Sequence, residues 1–217
     1  MKKFVLTALL CAPALVFAAS QNDRVPAQSV PAVIAPTIEY EGCPPEGMQA
    51  AAKRGDPVAQ YCLGCCFLNG SGVDRDIKKA LQWWGKAAAQ GLPIAQAMLG
   101  FCFDQRGMPT DVVDQLQSAG VGRDLKESVR WFRKAAEQGY GVAQFKVGLA
   151  YFSGEGVVED AKEAYAWLVL ARATGYDTHG IASIWAVLET RLSRSELEEC
   201  RAWARKQFEA QESRRGK

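Results

Sequence analysis

The chain of 217 residues is long enough for one domain of ordinary size and a leader segment. It carries 26 basic residues, 24 acidic residues and one histidine, for a formal net charge of +2. A charge so close to balance gives no electrostatic reason to expect nucleic acid or an anionic lipid surface as the partner.

The first 20 residues have the order of segments found in a secretory signal peptide. A basic start at residues 1–3 is followed by an apolar run over residues 4–16, and small residues allow cleavage after Ala18 or Ser20. The apolar run is shorter than the roughly 20 residues that a membrane-spanning helix needs. We therefore expect an exported protein, periplasmic or secreted, without a membrane span.

Residues 21–46 separate this leader from the rest of the chain. They contain Pro26, Pro31 and Pro36 at a spacing that fits neither a helix nor a strand. Such a composition is typical of a flexible tether. Residues 47–56 favour a helix that ends at a glycine, which predicts a leading partial repeat helix.

Glycines at matching places divide the next part of the chain into repeats. They are separated by 36, 48 and 36 residues and are Gly55, Gly91, Gly139 and Gly175. Because each glycine closes a segment with similar contents, the chain is predicted to be a tandem array of one small unit. The three units are residues 57–91, 92–139 and 140–175. The middle unit is the longest, and its additional residues lie at about 107–118.

Three sets of recurring residues predict that each unit is a helical hairpin. Glycines in the middle of the first helix cost about 1 kcal/mol relative to alanine, which close approach of a neighbouring helix would justify; they are Gly64, Gly100 and Gly148. Aspartates that can cap the second helix are Asp76, Asp124 and Asp160. Tryptophans placed one turn before an alanine, as in a packing stripe, are Trp83, Trp131 and Trp167.

The repeat pattern weakens after Gly175. Residues 176–217 are predicted to form a degenerate repeat and a C-terminal capping helix. Ser193 and Glu196 have the spacing of a capping box, and the helix that they open should run to about Gln211 with one strongly charged side. The predicted fold class is therefore all-α, an α/α solenoid of about three helical hairpins with terminal capping helices.

The recurring string Ala-Gln-x-x-Leu-Gly-x-x-Phe, then Gly-x-Gly-Val, Asp, Ala, Trp, Ala-Ala and Gln-Gly, resembles the Sel1-like (Sel-one-like) repeat, a TPR-like unit of two antiparallel helices. The resemblance covers residues 57–175 well and residues 47–210 loosely. The second unit departs from the pattern through its insertion and through Ser118, which replaces a loop glycine. The family implies protein–protein interaction or scaffolding, and its exported bacterial members often act in the cell envelope or at the host surface.

The resemblance also implies where a protein or peptide partner would bind. In stacked helical hairpins the first helices line a concave face. By analogy with tetratricopeptide units, its outward positions are Cys65, Leu68, Asn69, Phe101, Asp104, Gln105, Leu149, Phe152 and Ser153. For Phe101, Leu149 and Phe152, packing against a neighbouring repeat is an equal alternative. The insertion at residues 107–118, taken as a long loop, is a second candidate surface.

Six cysteines outside the leader permit disulfides in an exported protein: Cys43, Cys62, Cys65, Cys66, Cys102 and Cys200. Cys43 precedes the leading helix, which should pack on the helix that holds Cys62 and Cys66, so we predict a bridge from Cys43 to one of these two. Cys62 and Cys65 also form a Cys-x-x-Cys motif, and the alternatives are a redox couple or a metal site with Cys102. Its place inside a helical repeat and the lack of a second such pair favour a structural role without metal or cofactor.

An enzyme is the alternative function. Some cysteine-rich members of the family are reported to bind or cleave β-lactams, which implies a cell-wall or β-lactam-directed enzyme. The only histidine, His179, lies in a turn-like stretch, and the β-lactam-acylating Ser-x-x-Lys pattern is absent from the sequence. The sequence therefore favours a scaffold or adaptor that is not an enzyme.

Overall fold

The structure, a computed structural model, describes residues 46–176 and 181–215. Over these residues it contains ten helices and no strand, which confirms the predicted all-α fold class. The helices are α1 (Glu46–Lys53), α2 (Pro57–Asn69), α3 (Ile77–Ala89), α4 (Pro93–Asp104), α5 (Thr110–Ser118), α6 (Leu125–Glu137), α7 (Gly141–Ser153), α8 (Ala161–Ala173), α9 (Ala182–Arg191) and α10 (Arg194–Arg215). The predicted leader, the predicted tether up to residue 45, Cys43 and His179 lie outside the described residues, and residue 46, predicted as the end of the tether, begins α1. No described helix is both long enough and apolar enough to cross a membrane.

Three helical hairpins form the array: α2 with α3, α4 with α6, and α7 with α8. Each second helix also packs on the first helix of the next hairpin, as α3 does on α4 and α6 on α7. This serial contact is the stacking expected of an α-solenoid. Helix α4 is enclosed on both sides, and nine of its 12 residues are buried.

The aspartate caps and the closing glycines are confirmed. The Oδ1 atoms of Asp76, Asp124 and Asp160 each accept a hydrogen bond at 3.0 Å from the backbone N–H three residues later. The glycine that ends each second helix has a φ between 86° and 89°, the left-handed region that favours glycine. Local chemistry therefore fixes where each second helix begins and where it ends.

The mid-helix glycines are places of close helix approach, as predicted. A Cβ added at Gly100 would lie 2.9 Å from the ring of Phe132, and one at Gly148 would lie 2.7 Å from Leu168. The first unit uses Trp84 in the same way. The residue that fills the core thus comes one position after the predicted tryptophan.

The predicted tryptophan stripe is only partly right in the first two units: Trp131 packs against a core cluster, whereas Trp83 belongs to none among the described residues. Trp83 and Trp131 are only half-buried, and each has a lysine nitrogen above its ring, at 4.3 Å and 4.2 Å. Trp167 of the third unit is buried. It has no lysine three residues later, and a tryptophan of α10 covers it instead.

The Ala-Gln and Gln-Gly pairs of the repeat form a ladder of hydrogen bonds between neighbouring units. In each unit a buried glutamine donates through Nε2 to a carbonyl at the end of the preceding helix, at 3.1–3.2 Å; the pairs are Gln60 with Ala52, Gln96 with Ala88, and Gln144 with Ala136. Its Oε1 then accepts from the end of its own hairpin; the donors are Gln90, Gln138 and Thr174. The recurring glutamines therefore join one hairpin to the next.

The predicted loop insertion at residues 107–118 is instead largely the helix α5. Leu116 is fully buried in the core that α2, α3 and α4 share. An ion pair of 2.7 Å between Arg75 and Asp111 ties the start of α5 to the first unit. Most of the inserted segment is therefore part of the packed array.

Helix α10 lies along α8 and ends at Arg215, beyond the predicted end near Gln211. Its start is the predicted capping box, in which the backbone N–H of Ser193 donates to Glu196 at 2.9 Å. Near its other end, Gln144 Nε2 donates to Gln211 Oε1 at 3.2 Å. The helix therefore covers the last hairpin over its whole length.

Candidate functional site

The nine residues predicted to bind a partner lie near the C-terminal ends of the first helices, and their exposure differs. The buried ones are Leu68, Phe101, Asp104 and Gln105. Cys65, Leu149 and Phe152 are half-buried, whereas Asn69 and Ser153 are exposed. We call these ends of α2, α4 and α7 the first-helix face. Only five of its nine residues are reachable by a partner in this conformation.

The buried members hold the second unit together. The ring of Phe101 packs edge-on against Phe132 with centroids 4.9 Å apart. Gln105 ends α4 in the left-handed region, with a φ of 56°, and its Nε2 donates to the carbonyl of Val121 at 2.9 Å. These contacts give both residues a structural role. Phe101 also shares a core cluster with Ala143 and Val147 of the third unit, which is the packing alternative.

An ion cluster centred on one buried carboxylate joins the second and third units at this face. The side chain of Asp104 is only 2% exposed and forms ion pairs with Arg106 and with Lys146, whose Nζ lies 3.6 Å from Oδ2. Arg106 also pairs with Glu155. Burial lowers the pKa of Lys146, and Asp104 partly opposes this. Two acids and two bases balance, so the cluster has no excess charge to offer a ligand.

An open cleft adjoins the α7 end of the first-helix face. We call it the aromatic groove; it has a volume of about 550 Å³ and is lined by Arg133, Tyr151, Val157, Val158, Glu159, Asp160, Glu163, Trp167 and Trp203. These residues come from α6, α7, α8 and α10 and from the loop before α8. Such a volume lies in the range of about 300–1,000 Å³ that is common for ligand sites.

Aromatic rings form the walls of the groove. Trp167 and Trp203 pack edge-to-face with centroids 5.3 Å apart. The guanidinium of Arg133 lies 5.5 Å from the ring centre of Tyr151 and also donates a hydrogen bond to its hydroxyl. The indole Nε1 of Trp167 donates to Glu163 at 3.0 Å. The polar atoms of Tyr151 and Trp167 are thus hydrogen-bonded within the protein.

The rim of the groove combines an apolar side chain with acids. Val158 is 87% exposed, the largest exposure of any large hydrophobic residue among those described. Glu159 pairs with Arg191, and Asp160 caps α8. An exposed apolar side chain beside a cleft is a common mark of an interaction site. None of these residues belongs to the predicted site.

The cysteine motif lies in α2, as predicted. Cys62 and Cys65 are half-buried and Cys66 is buried. No disulfide joins two described cysteines, and the predicted bridge of Cys43 to Cys62 or Cys66 stays a prediction because Cys43 is outside the described residues. Burial raises the pKa of the Cys102 thiol to about 12, which suppresses the reactive thiolate. Among the described residues no group of three or more His, Cys, Asp or Glu side chains is arranged to hold a metal ion.

Comparison with known families and structures identifies the repeat. The Sel1 repeat family matches residues 57–92, 115–140 and 141–175. The second match begins within α5, so the insertion separates α4 from the matched segment. A comparison with curated proteins finds no match.

Two solved structures resemble the chain. A Sel1 repeat protein from Oxalobacter formigenes is 31% identical, with a TM-score of 0.55, over 64% of this chain and 96% of that one. A protective antigen of uropathogenic Escherichia coli strains, which displays an SLR fold, is 26% identical, with a TM-score of 0.43, over 75% of this chain and 40% of that one.

Proposed function

Because the chain belongs to the Sel1 repeat family, whose fold generally serves as a scaffold for protein–protein interactions, we propose that it is an exported scaffold or adaptor that binds a protein or peptide partner. Sel1 repeat proteins are typically not enzymes, and no observation in the described residues favours the β-lactam-directed alternative. The proposal is supported most directly by the aromatic groove, where an open cleft adjoins the exposed Val158.

The partner surface that we propose includes part of the first-helix face. Tyr151 lines the groove, and Leu149, Phe152 and Ser153 lie in the same last turns of α7. A peptide that extends along α7 could therefore contact the groove and the reachable end of this predicted concave face together. The buried Leu68, Phe101, Asp104 and Gln105 would support this surface without touching the partner.

Site-specific photo-cross-linking tests this proposal. A photoreactive amino acid is placed at Val158 in the groove, at Ser153 on the first-helix face, or at the exposed Gln82 on α3 as a control. Purified variants are incubated with envelope extract of the producing cell, and the adducts are identified by mass spectrometry. We expect one protein to cross-link through Val158 or Ser153 and not through Gln82. Equal labelling at all three positions would contradict a defined partner site.

Export is tested separately, since it depends on the leader alone. The full chain is expressed with its own N-terminus, and the protein from the periplasm and the medium is examined by N-terminal mass spectrometry. We expect a mature chain that begins at Ala19 or Gln21, which corresponds to cleavage after Ala18 or Ser20. Recovery of only the uncleaved chain from the cytoplasm would contradict export.

A further inference from the structure

We propose that the aromatic groove binds a basic side chain, arginine or lysine, that stands next to an apolar residue in the partner peptide. This inference deepens the proposed function and rests on it. It names the chemistry of the segment that the groove selects, which the family resemblance leaves open.

The charges of the lining residues support a cationic ligand. Three carboxylates line the groove, those of Glu159, Asp160 and Glu163, against the single guanidinium of Arg133. Glu159 is paired with Arg191, but neither Asp160 nor Glu163 forms an ion pair with any residue in the described part of the chain. Among the described residues the groove therefore has an excess of negative charge, and a complementary partner charge is positive.

The aromatic walls suit the same ligand. A cation placed over an aromatic face within about 6 Å is attracted by the ring quadrupole, and tryptophan is the strongest partner. The groove already contains one such pair, in which Arg133 stacks on Tyr151 and bonds to its hydroxyl. Trp203 lines the groove and is only half-buried. Part of its ring therefore remains available to a second cation.

An anionic ligand fits less well. Arg133, the one cation among the described lining residues, is held against Tyr151, and an anion that reached it would lie close to carboxylates at the rim. Like charges brought together at an interface oppose binding. Beside the acids, Val158 presents an almost fully exposed apolar side chain, and this is the basis for the apolar residue in the proposed ligand.

Isothermal titration calorimetry with two matched peptides tests the inference. One peptide consists of repeated Gly-Leu-Arg units and the other of repeated Gly-Leu-Glu units, both blocked at their ends. We expect the basic peptide to bind and the acidic peptide not to bind. The affinity for the basic peptide should fall as the salt concentration rises, because the contact is partly exposed.

Two variants locate the binding. Glu163→Gln removes one charge and keeps an acceptor for the Trp167 indole, so the basic peptide should bind roughly two- to fivefold more weakly. Glu127→Gln is the matched control, because Glu127 occupies the same position after the cap of α6 and lies outside the groove. Trp203→Leu, which keeps an apolar side chain, should also weaken binding. Circular dichroism checks that each variant is folded.

Three results would overturn the inference. Binding of the acidic peptide as tightly as the basic one would reject the charge assignment while leaving a peptide-binding groove. Absence of binding by both peptides, with cross-linking through Ser153 intact, would reject the groove and leave the scaffold function. Equal affinities for wild type, Glu163→Gln and Trp203→Leu would show that the basic peptide binds elsewhere. Failure of the scaffold function itself would appear as the absence of position-specific cross-links.

Discussion

At the scale of single residues, the most informative positions are the glycines in the first helices. A glycine inside a helix costs stability, and here the missing side chain is where a core residue of the second helix enters. At Gly100 that residue is Phe132, a fully buried ring. Glycine at this position therefore lowers helix stability but allows close contact between the two helices of a hairpin.

Gly100→Ala should destabilise the protein by about 1–3 kcal/mol, because the new methyl group overpacks the core against the Phe132 ring 2.9 Å away. Gly85→Ala is the matched control within α3, since a Cβ there meets nothing within 4 Å. It should stabilise the protein by about 0.5–1 kcal/mol. Urea unfolding followed by circular dichroism measures both changes. Similar effects of the two substitutions would show that helix propensity alone accounts for Gly100.

Asp104 is the residue that most strongly couples two units by charge. Asp104→Asn should destabilise the protein by about 1–3 kcal/mol, because the half-buried Lys146 loses its opposite charge and a neutral amide replaces the buried carboxylate. Asp111→Asn is the control, because its ion pair with Arg75 is exposed and should contribute little. Urea unfolding distinguishes them. Equal stability of both variants and the wild type would contradict a role for the cluster.

Sequence reasoning was right about single residues where helix geometry requires a particular type of residue. The need for a small residue at Gly100 and for a cap at Asp124 follows from helix geometry alone. The identity of the contacting ring did not follow, because moving from Trp131 to Phe132 rotates the side chain by about 100° around the helix. Which of the two faces the glycine depends on how the helices cross, and a single sequence does not contain that information.

At the scale of elements, the start of α3 depends on the ionised cap Asp76. Hydrogen bonding from the backbone of Lys79 lowers the pKa of Asp76 below its ordinary value of 3.8. In this situation the unfolded chain binds the proton more readily than the folded one. The stabilisation is therefore present above pH 3.8 and is lost as the pH falls through the lower pKa of the folded state.

Asp76→Asn tests this dependence, because asparagine caps a helix without a charge to titrate. The wild type should be more stable than the variant at pH 7, and this advantage should shrink or vanish by about pH 3. Urea unfolding at both pH values measures it. Glu137→Gln is the control, because Glu137 is the last residue of α6 and does not cap a helix start. The stability of the wild type relative to this variant should not fall on acidification. An unchanged difference between wild type and Asp76→Asn would contradict the ionised cap.

Helix α10 acts as a lid on the last hairpin. Deletion of residues 193–217 should expose Trp167, which is buried against Trp203 in the full chain, and should remove the bond of Gln211 to Gln144. We expect a lower melting temperature and strong binding of an apolar dye. Deletion of residues 212–217 alone is the control and should change neither. An unaltered melting temperature after the longer deletion would contradict the capping role.

The elements also show why the candidate site escaped sequence reasoning. Residues 107–118 include Pro109 and were interpreted as a loop, but most of them form α5, which packs on the array through the buried Leu116.

The groove escaped sequence reasoning for a similar reason, because it depends on contacts between elements. The groove depends on Trp203, which belongs to a strongly charged helix with no repeat signature. Its neighbours Tyr151 and Trp167 come from other elements, and only tertiary packing brings the three together.

At the scale of the whole molecule, burial is uneven along the array. Nine of the 12 residues of α4 are buried, whereas only one of the ten residues of α9, Leu188, is buried. Helix α4 has a hairpin partner in α6 and a preceding helix in α3, while α9 has little support beyond α8. In a stacked array the stability of an element depends on its own packing and on its immediate neighbours.

Hydrogen exchange should therefore show a gradient of protection along the chain. Amides in α4 should exchange only through global unfolding, whereas amides in α9 should exchange through local opening at a much lower free energy. Mass spectrometry of exchanged peptides measures the protection of α4 and of α9. The variant Gln96→Ala is a further check. That variant removes the hydrogen bonds to Ala88 and from Gln138, so it should lower protection in α4 and leave that of α9 unchanged. Equal protection of α4 and α9 in the wild type would mean that the array unfolds as one cooperative block, which the uneven burial argues against.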